Sequence, residues 1–457
     1  MSETVAVVGG GPSGLTLAHA LAKQGRHQPV VLEALSAPGG AVRSLQRDGY
    51  LLECGPNSFI DRSPEFRSLI DALGLKEEVV YARPEAKARY LLCRGQLEPL
   101  PASPPALLKS KLLSVSGKLR LLAEPLLAKV GSGADESLEE FGLRHAGPEA
   151  THRLLDAMQV GIYAGKLEEL SAESTFPQFV EMERRDRSLL LGAIRQRQRQ
   201  RRGAAGAAGS APVERPRTGS FRRGMGQFIE ALSQQLGEVL RVRAPIESLQ
   251  REGDQWKLSG PFGELSARHV VLATGSREAS QLLRPLDATL SSSLEQIPSA
   301  PMAVVHLGVP KERVRHPLDG FGFLAPAQEG RATLGCIFSS TLFEGRAPEG
   351  KVLLTALLGG RRRPEVVNLE DRALIALARD ELHQALGLDA EPELTQVIRH
   401  PDGIPQYVVG HRARLETIKQ RLAQLPGLHL LGWAYQGVGV LDCVHSALKL
   451  ASELSAP

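Results

Sequence analysis

Short, nearly unbroken apolar runs recur at widely separated points of the chain. Val5-Ala6-Val7-Val8, Val30-Val31-Leu32, Val270-Val271-Leu272-Ala273 and Leu428-His429-Leu430-Leu431 are of this kind. They are too short for helices and rich in β-branched residues, so they predict strands covered on both faces. Val242-Arg243-Ala244-Pro245-Ile246 predicts one more strand. Between the strands the apolar spacing widens to three and four, as in Leu15-Thr16-Leu17-Ala18-His19-Ala20-Leu21-Ala22 and in Phe228-Ile229-Glu230-Ala231-Leu232 after the glycine turn Gly224-Met225-Gly226. That period predicts helices. Strands alternating with helices place the chain in the α/β class, α+β overall, around a parallel sheet.

The junction after the first run carries chemistry. Gly9-Gly10-Gly11-Pro12-Ser13-Gly14 joins strand to helix in G-x-G-x-x-G spacing, and Leu15 opens the helical pattern. Such a turn lets a pyrophosphate rest on backbone N–H groups. Gly9 permits the turn, Gly11 removes a Cβ from the phosphate's path, and Gly14 lets the helix lie close on its strand. The second strand ends at Glu33, followed by Ala34, about 20 residues after the glycines, where a carboxylate accepts hydrogen bonds from a ribose. These residues predict an adenine dinucleotide. The similar run Gly320-Phe321-Gly322-Phe323-Leu324-Ala325 has no strand before it, and Pro326 stands where a helix would begin, so it predicts loop or strand.

The segment Pro38-Gly39-Gly40-Ala41-Val42-Arg43 continues, in FAD folds of the glutathione-reductase type, the channel for the cofactor; an ordinary turn with a solvated Arg43 would look the same. Four distant segments make the resemblance specific. They are Glu53-Cys54-Gly55-Pro56-Asn57-Ser58-Phe59, Gly161-Ile162-Tyr163-Ala164-Gly165, Ile404-Pro405-Gln406-Tyr407 with Gly410-His411, and Gly432-Trp433-Ala434-Tyr435-Gln436-Gly437-Val438-Gly439-Val440-Leu441-Asp442-Cys443. In this order they resemble the protoporphyrinogen oxidase family over nearly the whole chain, more weakly between about 100 and 210.

The resemblance implies a discontinuous, Rossmann-like FAD-binding domain from residues 1–86, 214–287 and 405–457. It implies a mixed-sheet substrate domain from 87–101, 200–213 and 288–404, and a helical, membrane-associated insert over 102–199. Cofactor residues carried over by motif are Gly9, Gly10, Gly11, Pro12, Ser13, Gly14, Leu15, Glu33, Ala34, Gly40, Arg43, Gly55, Pro56, Asn57, Ser58, Ile246, Gly437, Val438, Gly439 and Val440. A helix beginning beside the flavin at 437–440 would set N–H groups and a positive dipole end against the ring's N1 edge. The flavin would be non-covalent, with Cys443 packed in its helix.

The activity implied is six-electron oxidation of protoporphyrinogen IX to protoporphyrin IX, with three oxygen molecules reduced to three of hydrogen peroxide, in haem biosynthesis. No second dinucleotide motif is present to hold a nicotinamide donor, which leaves oxygen or another acceptor. Arg89 corresponds to the family arginine that grips a propionate, a match for a carboxylate, and Phe338 to an aromatic that stacks on a pyrrole. Asn57, Gly161, Phe323 and Leu324 complete the implied substrate set. No catalytic base is assigned, because the flavin carries the chemistry. Coproporphyrinogen III oxidation is the nearest alternative; flavin amine oxidation, carotenoid desaturation and a flavin-binding scaffold without turnover also remain open.

Composition changes this picture little. The chain has 457 residues, which predicts roughly three domains, and a net charge of +4, which does not call for nucleic acid. Four separated cysteines, with no C-x-x-C, suggest neither zinc nor disulfides. The N-terminal apolar run is consumed by the dinucleotide motif and no apolar stretch reaches about 18 residues, so neither a signal peptide nor a membrane span is expected and the cytoplasm is the expected compartment. Leucine faces with cations, Leu107-Leu108-Lys109-Ser110-Lys111-Leu112-Leu113 and Lys118-Leu119-Arg120-Leu121-Leu122, fit helices lying on an anionic membrane surface or packing on a domain. Arg195-Gln196-Arg197-Gln198-Arg199-Gln200-Arg201-Arg202 and the glycine-alanine stretch behind it read as a mobile surface loop. A homodimer is left open.

Overall fold

The computed structural model describes residues 3–101, 103–128, 130–206 and 216–455, without side chains at 104 and 200–206. The apolar runs form one five-stranded parallel sheet in the order Leu240–Arg241, His27–Leu32, Glu3–Val8, His269–Leu272, Leu428–Leu430. Glu3–Val8 lies at its centre, and alternation within it explains the unbroken apolar run. Val5 and Val7 pack against the helices Pro12–Gln24, Gly226–Leu236 and Val440–Leu454. Ala6 and Val8 face a second core, built on the antiparallel strands Ser248–Glu252, Gln255–Gly260 and Gly263–Ala267 and on the helix His411–Leu422.

A seven-stranded mixed sheet forms the second layer system. Its order is Leu394–Pro405, Ser299–Pro310, Lys351–Gly359, Thr333–Phe338, Gly320–Leu324, Ala88–Cys93, Gln96–Pro99. The pair Gly320–Leu324 and Ala88–Cys93 is parallel; the remaining neighbours are antiparallel. The helix Asp371–Leu386 covers one face through Leu374, Ala378 and Leu382. The opposite face turns toward the helix Asp156–Tyr163.

One local expectation is narrowed and two change. The second glycine-spaced run is the strand Gly320–Leu324, as one of its two readings had it. Residues 242–246 form no regular strand, the ladder ending just before them at Leu240–Arg241; residues 243 and 244 still donate to the carbonyls of Leu35 and Glu33, at 2.9 and 2.8 Å, but Pro245 lacks the N–H to continue a ladder. The arginine run is no loop: it lies within the helix Leu189–Gly206, which crosses the boundary expected at 199. Ser188 and Glu124 together explain this start: Ser188 Oγ accepts the Leu191 N–H at 3.1 Å, and the Glu124 carboxylate accepts the N–H groups of Leu189 at 2.8 Å and Leu190 at 3.2 Å and complements the helix dipole. The stretch 207–215 lies outside the described residues.

The helices from 104 onward have their own core of Leu138, Phe141, Tyr163, Leu167 and Phe176. Beside it His145 bridges two buried carboxylates, Nδ1 to Glu124 at 2.8 Å and Nε2 to Glu183 at 3.2 Å. Burial opposes charge on Glu124, but Ser188, His145 and the two helix N–H groups outweigh it and hold the carboxyl below its usual range. Among the described residues no helix is long and apolar enough to cross a membrane.

Candidate functional site

The glycines do at the first turn what their spacing requires. Gly9 has φ +111°, and a Cβ there would stand 2.7 Å from the Ala273 carbonyl. A Cβ on Gly14 would stand 2.1 Å from the Gly9 carbonyl, so only glycine lets the helix close on the turn. At Gly11 a Cβ would meet nothing within 4 Å. Pro12 occupies the first helical position, no side chain caps this end, and the N–H groups of Ser13 and Gly14 have no intrahelical acceptor. Leu15 already donates to the Gly11 carbonyl at 3.0 Å, and its side chain is core.

Glu33 is 8% exposed and accepts from Gly10 N–H at 2.8 Å and from Leu35 N–H at 2.7 Å, one bond to each oxygen. Each oxygen retains a lone pair for a ribose hydroxyl. Ala34 is exposed beside it and Ile246 half-buried. An open, uncapped helix start next to a buried carboxylate with spare acceptor capacity fits a dinucleotide.

The channel continues through Gly40 and Arg43, both exposed, and through the half-buried Gly55, Pro56, Asn57 and Ser58. A Cβ on Gly55 would stand 2.6 Å from the Ala41 carbonyl, so the two segments touch. The Asn57 amide has no partner among the described residues. Glu53 fastens the region: it accepts from Ser44 Oγ at 2.6 Å and Met225 N–H at 3.0 Å, with Arg346 at 3.9 Å. Burial pushes its carboxyl up to about 7 against these partners. From the mixed sheet, His306 donates Nε2–H to the Glu53 carbonyl at 3.0 Å, and burial lowers its pKa to about 4.

At the far end, Gly437 has φ +117° and its N–H donates to the Tyr407 hydroxyl at 2.7 Å. Gly439 N–H donates to Asp442 Oδ2 at 3.0 Å. Val440 and Leu441 then open the helix Val440–Leu454 with N–H groups that lack intrahelical acceptors. Burial raises the Cys443 thiol to about 11, and it lies against Ser13. His411 is buried, neutral with a pKa near 4, and stacked on Tyr407 at 4.2 Å; His445 bonds Ser63 at 2.6 Å. Neither is placed as a base.

The residues expected at the substrate divide between the two faces of the mixed sheet. Leu324 faces Gly161, where a Cβ would stand 3.1 Å from Leu324 Cδ1, and it packs with Val160, Met302, Leu334, Leu357 and Ile404. Phe323 and Phe338 lie in the opposite core, under Asp371–Leu386, and Phe338 is fully buried. This corrects both assignments: strand alternation turns residues 323 and 338 away from the face that carries 324. Leu334, Leu357 and Met302 take the front face instead. Sequence could not have found them, because these strands are apolar on both faces. Arg89 is exposed, 5.2 Å over the Phe321 ring, with no carboxylate partner among the described residues. A separate polar cleft of about 460 Å³, lined by His152, Asp156, Lys166, Arg331 and Arg362 among others, shares none of these residues.

A sheet of this order, a glycine-lined dinucleotide channel and an apolar floor beyond it define a flavoenzyme of the amine oxidase type. The chain belongs to the flavin containing amine oxidoreductase family, whose profile matches residues 12–455, and it is a flavin-dependent oxidase with FAD as cofactor. It is 33% identical to the chloroplastic protoporphyrinogen oxidase of Nicotiana tabacum, covering 98% of this chain and 85% of that one. It is also 30% identical to the coproporphyrinogen III oxidase of Bacillus subtilis (strain 168), covering 98% and 97%. A solved structure from Exiguobacterium sp. 255-15, provisionally assigned as a protoporphyrinogen oxidase, superposes with TM-score 0.86 at 26% identity over 99% of both chains.

Proposed function

We propose that the chain oxidises protoporphyrinogen IX to protoporphyrin IX, passing six electrons in three rounds to three molecules of oxygen and releasing three of hydrogen peroxide. The observation that carries this reading is the aliphatic floor of Leu324, Leu334, Leu357 and Met302, met by Gly161 from the insert. A flat apolar macrocycle needs such a surface, and the missing Cβ lets the exposed Gly161 bring its helix onto Leu324 at the edge of the floor, so the ring would lie alongside this contact rather than between the two. In this reading the flavin ring lies between 55–58, 437–440 and the floor. When bound, FAD supplies the hydride acceptor. The aliphatic side chains exclude water and hold the ring flat, Arg89 anchors a propionate, and the Asn57 amide bonds the ring or an ordered water.

We divide the chain into the three-segment cofactor domain, the mixed-sheet domain and the helical insert, ending the insert at 206 rather than 199. The insert's outer side supports peripheral binding to a bilayer: Val115 is 73% and Leu126 89% exposed, with Leu119, Leu122 and Leu127 also uncovered and Lys111 and Lys118 beside them.

Coproporphyrinogen III is the second reading, favoured by similarity to an oxidase of that name. Anaerobic mixing with each porphyrinogen tests both. Bleaching of the flavin by protoporphyrinogen IX alone, with porphyrin fluorescence and peroxide on admitting air, is the expected result. Bleaching by coproporphyrinogen III alone transfers the assignment, and bleaching by neither removes it.

A further inference from the structure

Two adjacent buried residues, Gln406 and Tyr407, bind opposite walls of the proposed site. Gln406 is fully buried just after the strand Leu394–Pro405, and its Nε2 donates to the carbonyl of Tyr163 at 2.7 Å and of Ile404 at 3.0 Å. Tyr163 ends the helix whose Gly161 faces Leu324. Gly165 is so close that a Cβ would stand 2.5 Å from Gln406 Oε1. The Tyr407 ring lies in the insert core, 5.7 Å from Tyr163, but its hydroxyl leaves that core. It donates to the Trp433 carbonyl at 2.6 Å and accepts the Gly437 N–H at 2.7 Å. One phenol therefore closes both ends of the turn that leads into 437–440. The backbone between is tied to the insert as well, with Ser171 N–H on the Tyr407 carbonyl at 2.8 Å.

We infer that Gln406-Tyr407 is the positioning element of the site, Tyr407 setting the 433–437 turn against the flavin edge and Gln406 seating the insert helix against the edge of the substrate floor. A dipeptide is short enough that the two walls cannot move independently. Neither residue touches a reacting atom. The inference rests on the flavin placement proposed above.

Two near-isosteric substitutions separate the halves. Tyr407→Phe keeps the ring stack and removes both turn bonds. It should raise the FAD dissociation constant about tenfold, read from flavin fluorescence on dilution of the holoenzyme, and lower the flavin midpoint potential, with KM for the porphyrinogen substrate unchanged. Gln406→Leu should raise that KM about tenfold and leave FAD affinity and potential unchanged. The inference is overturned if Tyr407→Phe leaves affinity and potential as in the wild type, or if both variants shift all three quantities alike, as general loosening would. Gly437→Ala distinguishes the deeper failure. A potential that moves in Gly437→Ala but not in Tyr407→Phe removes the pin and keeps the flavin placement; no movement in either removes the placement itself.

Discussion

Glu33 shows how one side chain is prepared for a ligand while the backbone already satisfies half of it. Its two N–H bonds hold the carboxylate rigid and charged-side out, so Glu33→Gln should weaken FAD binding by roughly 2 kcal/mol, about thirtyfold, measurable by flavin release on dilution. Glu53 carries a different consequence. Its folded pKa of about 7 stands above the ordinary carboxyl value, so between that value and 7 the folded state binds more protons than the unfolded one. Stability then falls as pH rises through this window. Glu53→Gln should flatten the slope, which urea unfolding at pH 5.0, 6.0 and 7.5 will read; an unchanged slope would show that another group titrates. Cys443, raised by burial to about 11, stays a thiol at neutral pH, so acid precipitation should leave all flavin in the supernatant.

At the scale of elements, the strands of the parallel sheet and the helix after Gly14 follow from their own residues, since a run buried on both faces has no other partner-independent reading with those flanking glycines. The mixed sheet was less legible. Lys351–Gly359 is apolar at nearly every position, so which residues face the floor and which face Asp371–Leu386 depends on the register with Thr333–Phe338. That register sent Phe338 behind the sheet and brought Leu357 forward. The helical state of the arginine run was half legible: Ser188 Oγ is a local cap that accepts the Leu191 N–H at 3.1 Å, while the carboxylate that completes this helix start belongs to Glu124, 65 residues upstream of Leu189. For the insert's exposed leucines, Leu126→Glu should reduce co-sedimentation with anionic vesicles severalfold while leaving turnover of a detergent-dispersed substrate unchanged. Equal co-sedimentation of variant and wild type would assign this side to another role.

Across the whole molecule, the site belongs to no single segment. The proposed cofactor channel draws on residues 9–14, 33, 40–43, 55–58 and 437–440, while the proposed floor comes from 302, 324, 334 and 357, with 161 packed at its edge. His306 and Gln406 cross between these bodies, so Arg89→Leu, at the rim, should raise KM severalfold with kcat nearly kept, whereas a change at the crossings alters assembly of the site itself. By itself the sequence determined the glycine turn between strand and helix, the α/β class and the order of motifs that marks the family, because each depends on contacts within a few residues or on glycine's missing side chain. Only the tertiary structure decided which face of each doubly buried strand looks at the 156–163 helix, where the arginine-rich segment becomes helical, and what holds that helix to the 433–437 turn. Those depend on pairing register and on hydrogen bonds between residues hundreds of positions apart, such as Tyr163 with Gln406, and local pattern carries no record of them.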